Sequence, residues 1–320
     1  MSMRTYYRWV AGLTSDDQQA LSTYTLYVCR HYPLATQQAK LENLPRVLQP
    51  LPLPQPVRLD AITPAHIAAF IEEAQQRGLA PASINSYLSA VYGCYRYLQD
   101  EGYLLHNPVQ PRRHYLPCPL RLPRPMARED VRRLLAATTS AQERAIFLVG
   151  LYCGLRISEV AHLKLSDLDW ERHSLRVDQG KARVDRIVYL TDEVEESLRQ
   201  WFLRRISCNE YVFCSHQSRR HANRCVSTRN LNRLLKRALQ RAGIAPSKYS
   251  FHTLRHTFAT ELLNAGISLR SLQELLGHKS LYEVIIYAQL YESTKRQEFY
   301  RAMATIESHP QPQWVTVGGE

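Results

Sequence analysis

The sequence predicts a mainly α-helical protein of two domains, with a small antiparallel sheet in the second domain. Three observations support this prediction. The chain has 320 residues, which exceeds the usual size of one domain. Segments with apolar residues at helical spacing lie on both sides of a proline-rich stretch, Gly102–Arg128. After that stretch, SLRVDQGKARVDRIVYL has the pattern of two strands that meet at a Gly-Lys turn.

The first domain is predicted to be a helical bundle. Thr63 followed by Pro64 is typical of a helix N-terminus. Pro81 begins another helix with apolar residues on one face. The run 17–31 is predicted to be a further helix, and the proline-rich segment 45–56 is predicted to be a loop. No pattern in this domain indicates catalysis.

The two domains are predicted to be joined by a basic linker. Proline cannot continue a helix, so the six prolines between Gly102 and Arg128 predict an extended connection. The same stretch contains no acidic residue and five arginines: Arg112, Arg113, Arg121, Arg124 and Arg128. We expect this linker to follow a phosphate backbone. The predicted ranges are 1–110 for the first domain, 111–124 for the linker and 125–320 for the second domain.

The second domain is predicted to combine helices with the short sheet. MAREDVRRLLAA and AQERAIFLVGLYCGLRISEVAHL have helical patterns, and Gly154 interrupts the second. Helical periodicity returns in four later segments: 192–205, 228–242, 253–264 and 268–276. Gly266 and Gly277 follow the last two segments, as expected for helix C-termini.

The distribution of charge indicates a nucleic-acid partner. The chain has a net charge of +12 and a pI of about 9.5. Between Tyr211 and Thr260 there is no Asp or Glu, although this segment contains ten Lys and Arg residues. A solvated surface usually mixes charges of both signs, so this stretch favours phosphate contact. The candidate DNA-binding residues are Arg112, Arg113, Arg121, Arg219, Arg220, Arg224, Arg229 and Arg233.

Composition argues against several other classes of protein. No apolar run approaches the roughly 18 residues of a membrane span, and the N-terminus lacks a signal sequence, so a cytoplasmic protein is expected. The seven cysteines have irregular spacing, which argues against a disulfide framework. The spacing of Cys208, Cys214, His216, His221 and Cys225 fits no common zinc pattern. We predict no metal and no cofactor.

Four residues suggest a phosphate site. His252 and Arg255 lie three residues apart, so that one face of a helix presents both. An arginine fork can bind two phosphate oxygens. Arg156 follows the helix-breaking glycine, and Glu159, one turn later, could orient it. Alone, the spacing of His252 and Arg255 more often belongs to a surface arginine beside a half-buried histidine, and the pattern around Arg156 is weak as well.

Two further residues could complete a phosphoryl-transfer site. Lys181 lies at the turn of the predicted hairpin, where a side chain can reach into a groove and donate a proton; an ordinary polar turn is the alternative. Tyr287 is a candidate nucleophile, although the chain has 19 tyrosines and Tyr282 and Tyr291 lie close in sequence.

Taken in order, the motifs GLRISE, GK after a strand, HTLRHTFAT, LLGH and a following tyrosine resemble those of the tyrosine recombinase (phage integrase) family, especially its simple two-domain members. The resemblance covers about 123–291, and the first domain is similar to the core-binding domain of the family. It implies a SAM-like helical core-binding domain followed by a mixed α/β catalytic domain. It also implies that the C-terminal tail docks on a neighbouring subunit.

The resemblance assigns a role to each candidate site residue. Arg156 and Arg255 would clamp the scissile phosphate, and Lys181 would protonate the leaving 5′ oxygen. His252 would assist proton transfer at the nucleophile, and His278 would bond the phosphate. Tyr287 would form a 3′-phosphotyrosine bond, with Glu159 in a supporting role.

The function implied is site-specific recombination of double-stranded DNA at inverted repeats, by a homotetramer with or without accessory proteins. Neither metal nor ATP would be required. Integration, excision and resolution remain open as the biological event. Two alternatives are an inactive DNA-binding protein of the same fold and a type IB-like topoisomerase.

Overall fold

A computed structural model describes residues 3–54, 56–119, 124–178, 185–206, 209–214, 225–277 and 292–308. The chain divides into two compact units, Met1–Leu120 and Arg121–Glu320. Seven of the predicted functional residues lie outside the described residues: Arg121, Lys181, Arg219, Arg220, Arg224, His278 and Tyr287. So do Cys208, His216 and His221, for which no zinc site was predicted. None of the described helices is long and apolar enough to span a membrane.

The first unit is a helical bundle. Its helices are α1 (Met3–Val10), α2 (Ser15–His31), α3 (Leu34–Leu48), α4 (Pro64–Gln76), α5 (Pro81–Asp100) and α6 (Pro111–His114). The N-terminus of α4 is capped as expected, since Thr63 Oγ1 accepts a hydrogen bond from the His66 N–H at 3.4 Å. All five helices from α1 to α5 contribute to one apolar core.

The prediction of a loop from residue 45 is wrong for its first residues, because α3 continues through Pro45 to Leu48. Proline inside a helix removes a hydrogen bond and costs about 3 kcal/mol. Leu41, Leu44 and Val47 are fully buried on either side of Pro45. Burial of each such side chain contributes roughly 1.5 to 3 kcal/mol, so packing outweighs the cost of the proline.

The proline-rich connection was predicted to be extended, but it contains a helical turn near its start. It contains the short helix α6, and the chain then pairs with α5 through Asn85. The Leu116 N–H donates to Asn85 Oδ1 at 2.9 Å, and Asn85 Nδ2 donates to the Leu116 carbonyl at 2.8 Å. The side-chain amide thus takes the place of a strand partner, a contact that proline spacing does not predict.

The second unit combines eight described helices with a three-stranded antiparallel sheet. The helices are α7 (Arg128–Ala136), α8 (Ala141–Tyr152), α9 (Ile157–His162), α10 (Asp192–Arg204), α11 (Thr228–Arg241), α12 (Phe251–Asn264), α13 (Leu269–Leu276) and the C-terminal helix Glu292–Ser308. The strands β1 (Leu168–Asp169), β2 (Ser174–Val177) and β3 (Arg186–Tyr189) pair in that order. The two predicted strands are confirmed, with Ser174 opposite Tyr189.

Helix α8 is the centre of the second unit. Every residue from Ala145 to Leu151 is buried, so the helix packs on all sides. It contacts both α10 and α12. The buried carboxylate Glu143 in its first turn pairs with Arg241 of α11 at 2.6 Å. Because α8 is held on several sides, the turn that follows it has a fixed position.

Candidate active site

One carboxylate in the second unit lies among three arginines. Glu159 Oε1 accepts hydrogen bonds from Arg156 Nη1 at 2.9 Å and from Arg186 Nη1 at 3.1 Å. Its Oε2 accepts from Arg186 Nη2 at 2.7 Å and from the Arg156 backbone N–H at 2.7 Å. Arg255 Nη1 lies 3.9 Å from the same oxygen. We call these four residues, Arg156, Glu159, Arg186 and Arg255, the arginine cluster.

The arginine cluster has an excess of positive charge. Desolvation by burial acts to raise the pKa of Glu159, but the bonds from Arg186 and Arg156 outweigh it and hold that pKa below its usual value. Glu159 is therefore ionised at neutral pH. The four side chains together carry two more positive than negative charges. Such a site favours an anion with more than one oxygen.

The turn that carries Arg156 requires a glycine. Gly154 lies between α8 and α9 with a φ of +61°. A Cβ atom at this position would lie 2.3 Å from Cδ1 of Phe258, which is far inside van der Waals contact. The Gly154 carbonyl also accepts a hydrogen bond from Arg255 Nη1 at 2.7 Å. The glycine of the GLR motif thus turns the chain and brings α12 close to it.

Arg255 is held within the protein by helix α12. Its side chain is 1% exposed. Thr257, half a turn further along, anchors α12 to the start of the second unit, because its hydroxyl accepts a hydrogen bond from the Met126 N–H at 2.8 Å. Ser250 precedes the helix, and its N–H donates to Thr253 Oγ1 at 3.0 Å. The segment of α12 that carries His252 and Arg255 is therefore held on both sides, at Ser250 and at Thr257.

The three arginines also bind three consecutive carbonyl groups at the end of α13. Arg186 Nε donates to Leu275 O at 2.7 Å, Arg255 Nη2 to Leu276 O at 2.6 Å and Arg156 Nη2 to Gly277 O at 3.1 Å. The last carbonyls of a helix have no partner within the helix and carry partial negative charge. The arginine cluster therefore fixes the residues that directly precede His278 in the sequence.

Two histidines of α12 lie beside the arginine cluster. The rings of His252 and His256 are 4.4 Å apart between centroids, at an angle of 81°. Desolvation, followed by the charges of Arg255 and Arg156, lowers the pKa of His252. Desolvation and the nearby His252 and Arg255 lower the pKa of His256 to about 4. The lowered pKa keeps His252 neutral at neutral pH, so it can accept a proton.

The structure brings together Arg156, Glu159 and Arg255 of the predicted site, with His252 beside them. It adds Arg186, which sequence reasoning missed. Arg186 is on β3, where residues alternate between buried and exposed, and its side chain is 6% exposed. It occupies the same face of the strand as the buried Val188. That alternation was the available signal, because it places a charged residue on the inner face of the sheet.

The described candidate DNA-binding residues lie on the surface of each unit. Arg112 and Arg113 are exposed on α6 of the first unit. Arg229 and Arg233 are exposed on α11 of the second unit, one helical turn apart. Neither Arg229 nor Arg233 has an acidic partner among the residues that the structure describes. All four arginines are exposed, so each can contact a polyanion.

Comparison with protein families identifies two regions. The family described as "Phage integrase family" matches residues 124–294. The family described as "Phage integrase, N-terminal SAM-like domain" matches residues 23–102. The first match includes all four residues of the arginine cluster, and the second covers most of the first unit.

Curated relatives are similar over most of the chain. The tyrosine recombinase XerA of Thermococcus kodakarensis is 35% identical over 231 residues, which are 71% of this chain and 77% of the relative. The tyrosine recombinase XerC of Chlamydia pneumoniae is 28% identical over 286 residues, which are 84% and 83% of the two chains.

Solved structures share the fold. The Tn1549 transposon integrase in complex with a circular intermediate DNA has a TM-score of 0.71 at 18% identity, covering 89% of this chain and 98% of that one. A lambda integrase dimer bound to a COC′ core site has a TM-score of 0.64 at 23% identity, covering 84% and 94%. These similarities confirm a SAM-like helical domain followed by a mainly helical catalytic domain with a small sheet.

Proposed function

The chain belongs to the phage integrase family of tyrosine recombinases, and we propose that it cleaves and rejoins duplex DNA at specific sites through a 3′-phosphotyrosine intermediate. The arginine cluster is the observation that carries this proposal. Two of its three arginines, the half-buried Arg156 and the buried Arg255, are oriented by a carboxylate and by helix carbonyls, and the cluster has positive charge in excess.

In the proposed reaction the phenol oxygen of Tyr287 attacks the phosphorus of the scissile phosphate. The bond between phosphorus and the 5′ oxygen breaks, and Lys181 gives a proton to that oxygen. His252 accepts the proton that the phenol loses. It can do so because its lowered pKa keeps the imidazole ring neutral. Arg156 and Arg255, with His278, stabilise the extra negative charge of the pentavalent intermediate.

The reverse reaction rejoins the strands, with the 5′ hydroxyl as nucleophile and Tyr287 as leaving group. The phosphodiester energy is kept in the protein-DNA ester, so no ATP is needed. The arginines provide charge stabilisation that a metal ion supplies in other nucleases, so the proposal includes neither metal nor cofactor. The cluster positions these cationic groups before substrate binds.

The proposed partner is double-stranded DNA with inverted repeats. The structural neighbours include XerH bound to a palindromic difH substrate and lambda integrase bound to a COC′ core site. Arg112, Arg113, Arg229 and Arg233 would contact phosphates, together with Arg121, Arg219, Arg220 and Arg224. Strand exchange requires four active sites, so we propose a homotetramer. Phe299 and Tyr300, both 58% exposed on the C-terminal helix, supply apolar surface for the subunit contact.

A nicked suicide substrate tests the proposal. Such a duplex loses a short fragment after cleavage, so the covalent protein-DNA complex accumulates and is separated on a denaturing gel. We expect the wild-type chain and Tyr282→Phe to form the complex and Tyr287→Phe to form none. Absence of any complex with every candidate site from the source genome would indicate a DNA-binding protein without catalysis. Relaxation of plasmids without sequence preference would indicate a topoisomerase.

Arg255→Lys tests the role of the buried arginine in the same assay. Lysine retains the charge but cannot bridge Gly154 O and Leu276 O, which Arg255 binds with two different nitrogens. We expect the cleavage rate to fall by about 10²-fold or more, with the dissociation constant for DNA little changed. A rate equal to that of the wild type would contradict the proposed phosphate clamp.

A further inference from the structure

Each of the three guanidinium nitrogens of Arg186 donates a hydrogen bond within the protein. Nη1 and Nη2 bind the two oxygens of Glu159 at 3.1 and 2.7 Å, and Nε binds Leu275 O at 2.7 Å. The Arg186 side chain is 6% exposed. A two-pronged pair of this kind is the strongest geometry for an arginine and a carboxylate. All three hydrogen bonds join Arg186 to other residues of the site, so Arg186 orients these neighbours.

We propose that Arg186 is a positioning residue for DNA cleavage: it fixes Glu159 and the C-terminal end of α13, and thereby keeps Arg156 and Arg255 oriented and charged for the scissile phosphate. The proposal rests on the proposed function of the chain. It extends that function to a residue on the sheet, which reaches the site from a third direction beside α9 and α12.

Arg186 contributes to the net charge of the arginine cluster. Arg156 and Arg186 both bind Glu159 directly, whereas Arg255 lies 3.9 Å from it. If Arg186 were absent, Arg156 and Arg255 alone would have to neutralise the buried carboxylate, because an unpaired buried charge is strongly destabilising. The positive excess of the cluster would fall by one charge, and both remaining arginines would be drawn toward Glu159 and away from a phosphate.

Arg186 also connects the sheet to the end of α13. Arg186 begins β3 and is held there by pairing with Val177 of β2. Its bond to Leu275 O connects this sheet to the last turn of α13. Leu276 O and Gly277 O, the next two carbonyls, bind Arg255 and Arg156. Loss of the first of three consecutive bonds therefore loosens the segment that aligns the other two arginines, and misplacement by about 1 Å can cost about 10²-fold in rate.

Arg186→Met is the test variant, because methionine keeps much of the apolar stem and removes the charge and all three donors. Arg172→Met is the matched control: Arg172 lies in the turn between β1 and β2, its side chain is 84% exposed, and its acidic neighbour is Asp169. Single-turnover cleavage is measured at saturating DNA on the nicked substrate, and DNA affinity is measured separately. We expect the cleavage rate of Arg186→Met to fall by about 10²-fold, with a dissociation constant within a few-fold of wild type. Arg172→Met should cleave at the wild-type rate.

A second variant separates positioning from simple loss of stability. In Glu159→Gln/Arg186→Met the carboxylate that Arg186 neutralises is replaced by an uncharged amide, so Arg156 and Arg255 are no longer drawn to it. We expect this double variant to cleave at least about tenfold faster than Arg186→Met alone, since a positive coupling identifies residues that act through each other. Arg186→Lys, which keeps the charge but not the three bonds, should fall between wild type and Arg186→Met.

Amide hydrogen exchange of the full chain provides a readout that does not depend on cleavage. We expect faster exchange at residues 272–277 in Arg186→Met than in wild type or Arg172→Met. Wild-type rates of both cleavage and exchange in Arg186→Met, or a double variant no faster than the single one, would overturn the proposal. A wild-type chain that forms no covalent complex would instead overturn the proposed function, while the exchange comparison would still decide whether Arg186 holds α13.

Discussion

Gly154 shows how one residue determines the geometry of the site. It combines a φ of +61° with a carbonyl that accepts from the buried Arg255. Its Cα faces the ring of Phe258, which is part of the same helix as Arg255. The positive φ of the turn and the close approach of α12 therefore both require a residue without a side chain at this position.

We predict that Gly154→Ala destabilises the chain more than a substitution at a comparable glycine. Both the positive φ and the contact at 2.3 Å oppose a Cβ at this position, so the free energy of unfolding should fall by roughly 2 to 4 kcal/mol. Gly266→Ala is the control, because Gly266 has a φ of +92° but no atom within 4 Å of the added Cβ. Its cost should be about 1 to 2 kcal/mol, the penalty of a left-handed backbone alone. Equal losses in urea unfolding would show that the contact with Phe258 relaxes freely.

The lowered pKa of His256 in α12 predicts that the stability of the chain depends on pH. The pKa of His256 is lowered to about 4 in the folded chain, against about 6.5 in an unfolded chain. As the pH falls below about 6.5, the unfolded chain takes up a proton that the folded chain resists, so the free energy of unfolding decreases. His256→Gln should reduce the loss of stability between pH 7 and pH 4. Urea unfolding at several pH values measures this loss of stability. An equal loss in the wild-type chain and in His256→Gln would contradict the lowered pKa of His256.

At the scale of the elements, the helices of the second unit follow from periodicity and capping residues. Ser268 and Gly277 bound α13 as expected, and Gly154 separates α8 from α9. The sequence did not predict α3 through Pro45, because local propensity is outweighed by burial of Leu41 and its neighbours. It did not predict the partners of Arg186 either, since a contact across 27 positions to Glu159 leaves no local pattern.

The anchoring of α12 gives a prediction for this element. Thr257 Oγ1 accepts from the buried Met126 N–H at 2.8 Å and donates to Thr253 O at 2.8 Å. Thr257→Val keeps the shape but leaves the Met126 N–H without its acceptor, which should cost about 1 to 3 kcal/mol of unfolding free energy. The DNA cleavage rate should also fall, because α12 carries Arg255.

Thr23→Val is the matched control for Thr257→Val. The Thr23 hydroxyl donates to a carbonyl of its own helix, Ala20 O, at 2.7 Å. No backbone N–H in the described part of the chain donates to it. We expect a change in unfolding free energy below about 0.5 kcal/mol. A similar cost for the two threonines would indicate that the bond to Met126 adds little.

At the scale of the whole molecule, the two units make different contributions to the proposed function. The first has an apolar core built from α1 to α5 and exposes Arg112 and Arg113 on α6. The second contains the arginine cluster and exposes Arg229 and Arg233 on α11. The basic character of both units was evident from the sequence, because a net charge of +12 and a long segment without acids do not depend on folding.

This distribution predicts the salt dependence of DNA binding. Each phosphate contact contributes about 0.9 to the slope of log K against log salt concentration. Arg229→Gln/Arg233→Gln should reduce the steepness by about 1.8 and weaken binding to specific and nonspecific DNA alike. Arg132→Gln, at an exposed position on α7 beside Glu129, is the control and should leave the slope unchanged. A wild-type slope in the double variant would place these arginines outside the DNA interface.

The consecutive carbonyls at the end of α13 also place a constraint on chain length. Each of Leu275, Leu276 and Gly277 presents its oxygen to a different guanidinium group. One added residue within α13 would rotate every following carbonyl by about 100° and advance it by about 1.5 Å, so all three partners would be mismatched together. An added residue in the exposed turn at Arg172 would leave those pairings in register. Insertions and deletions should therefore be as rare in this one helix as replacements of the arginines themselves.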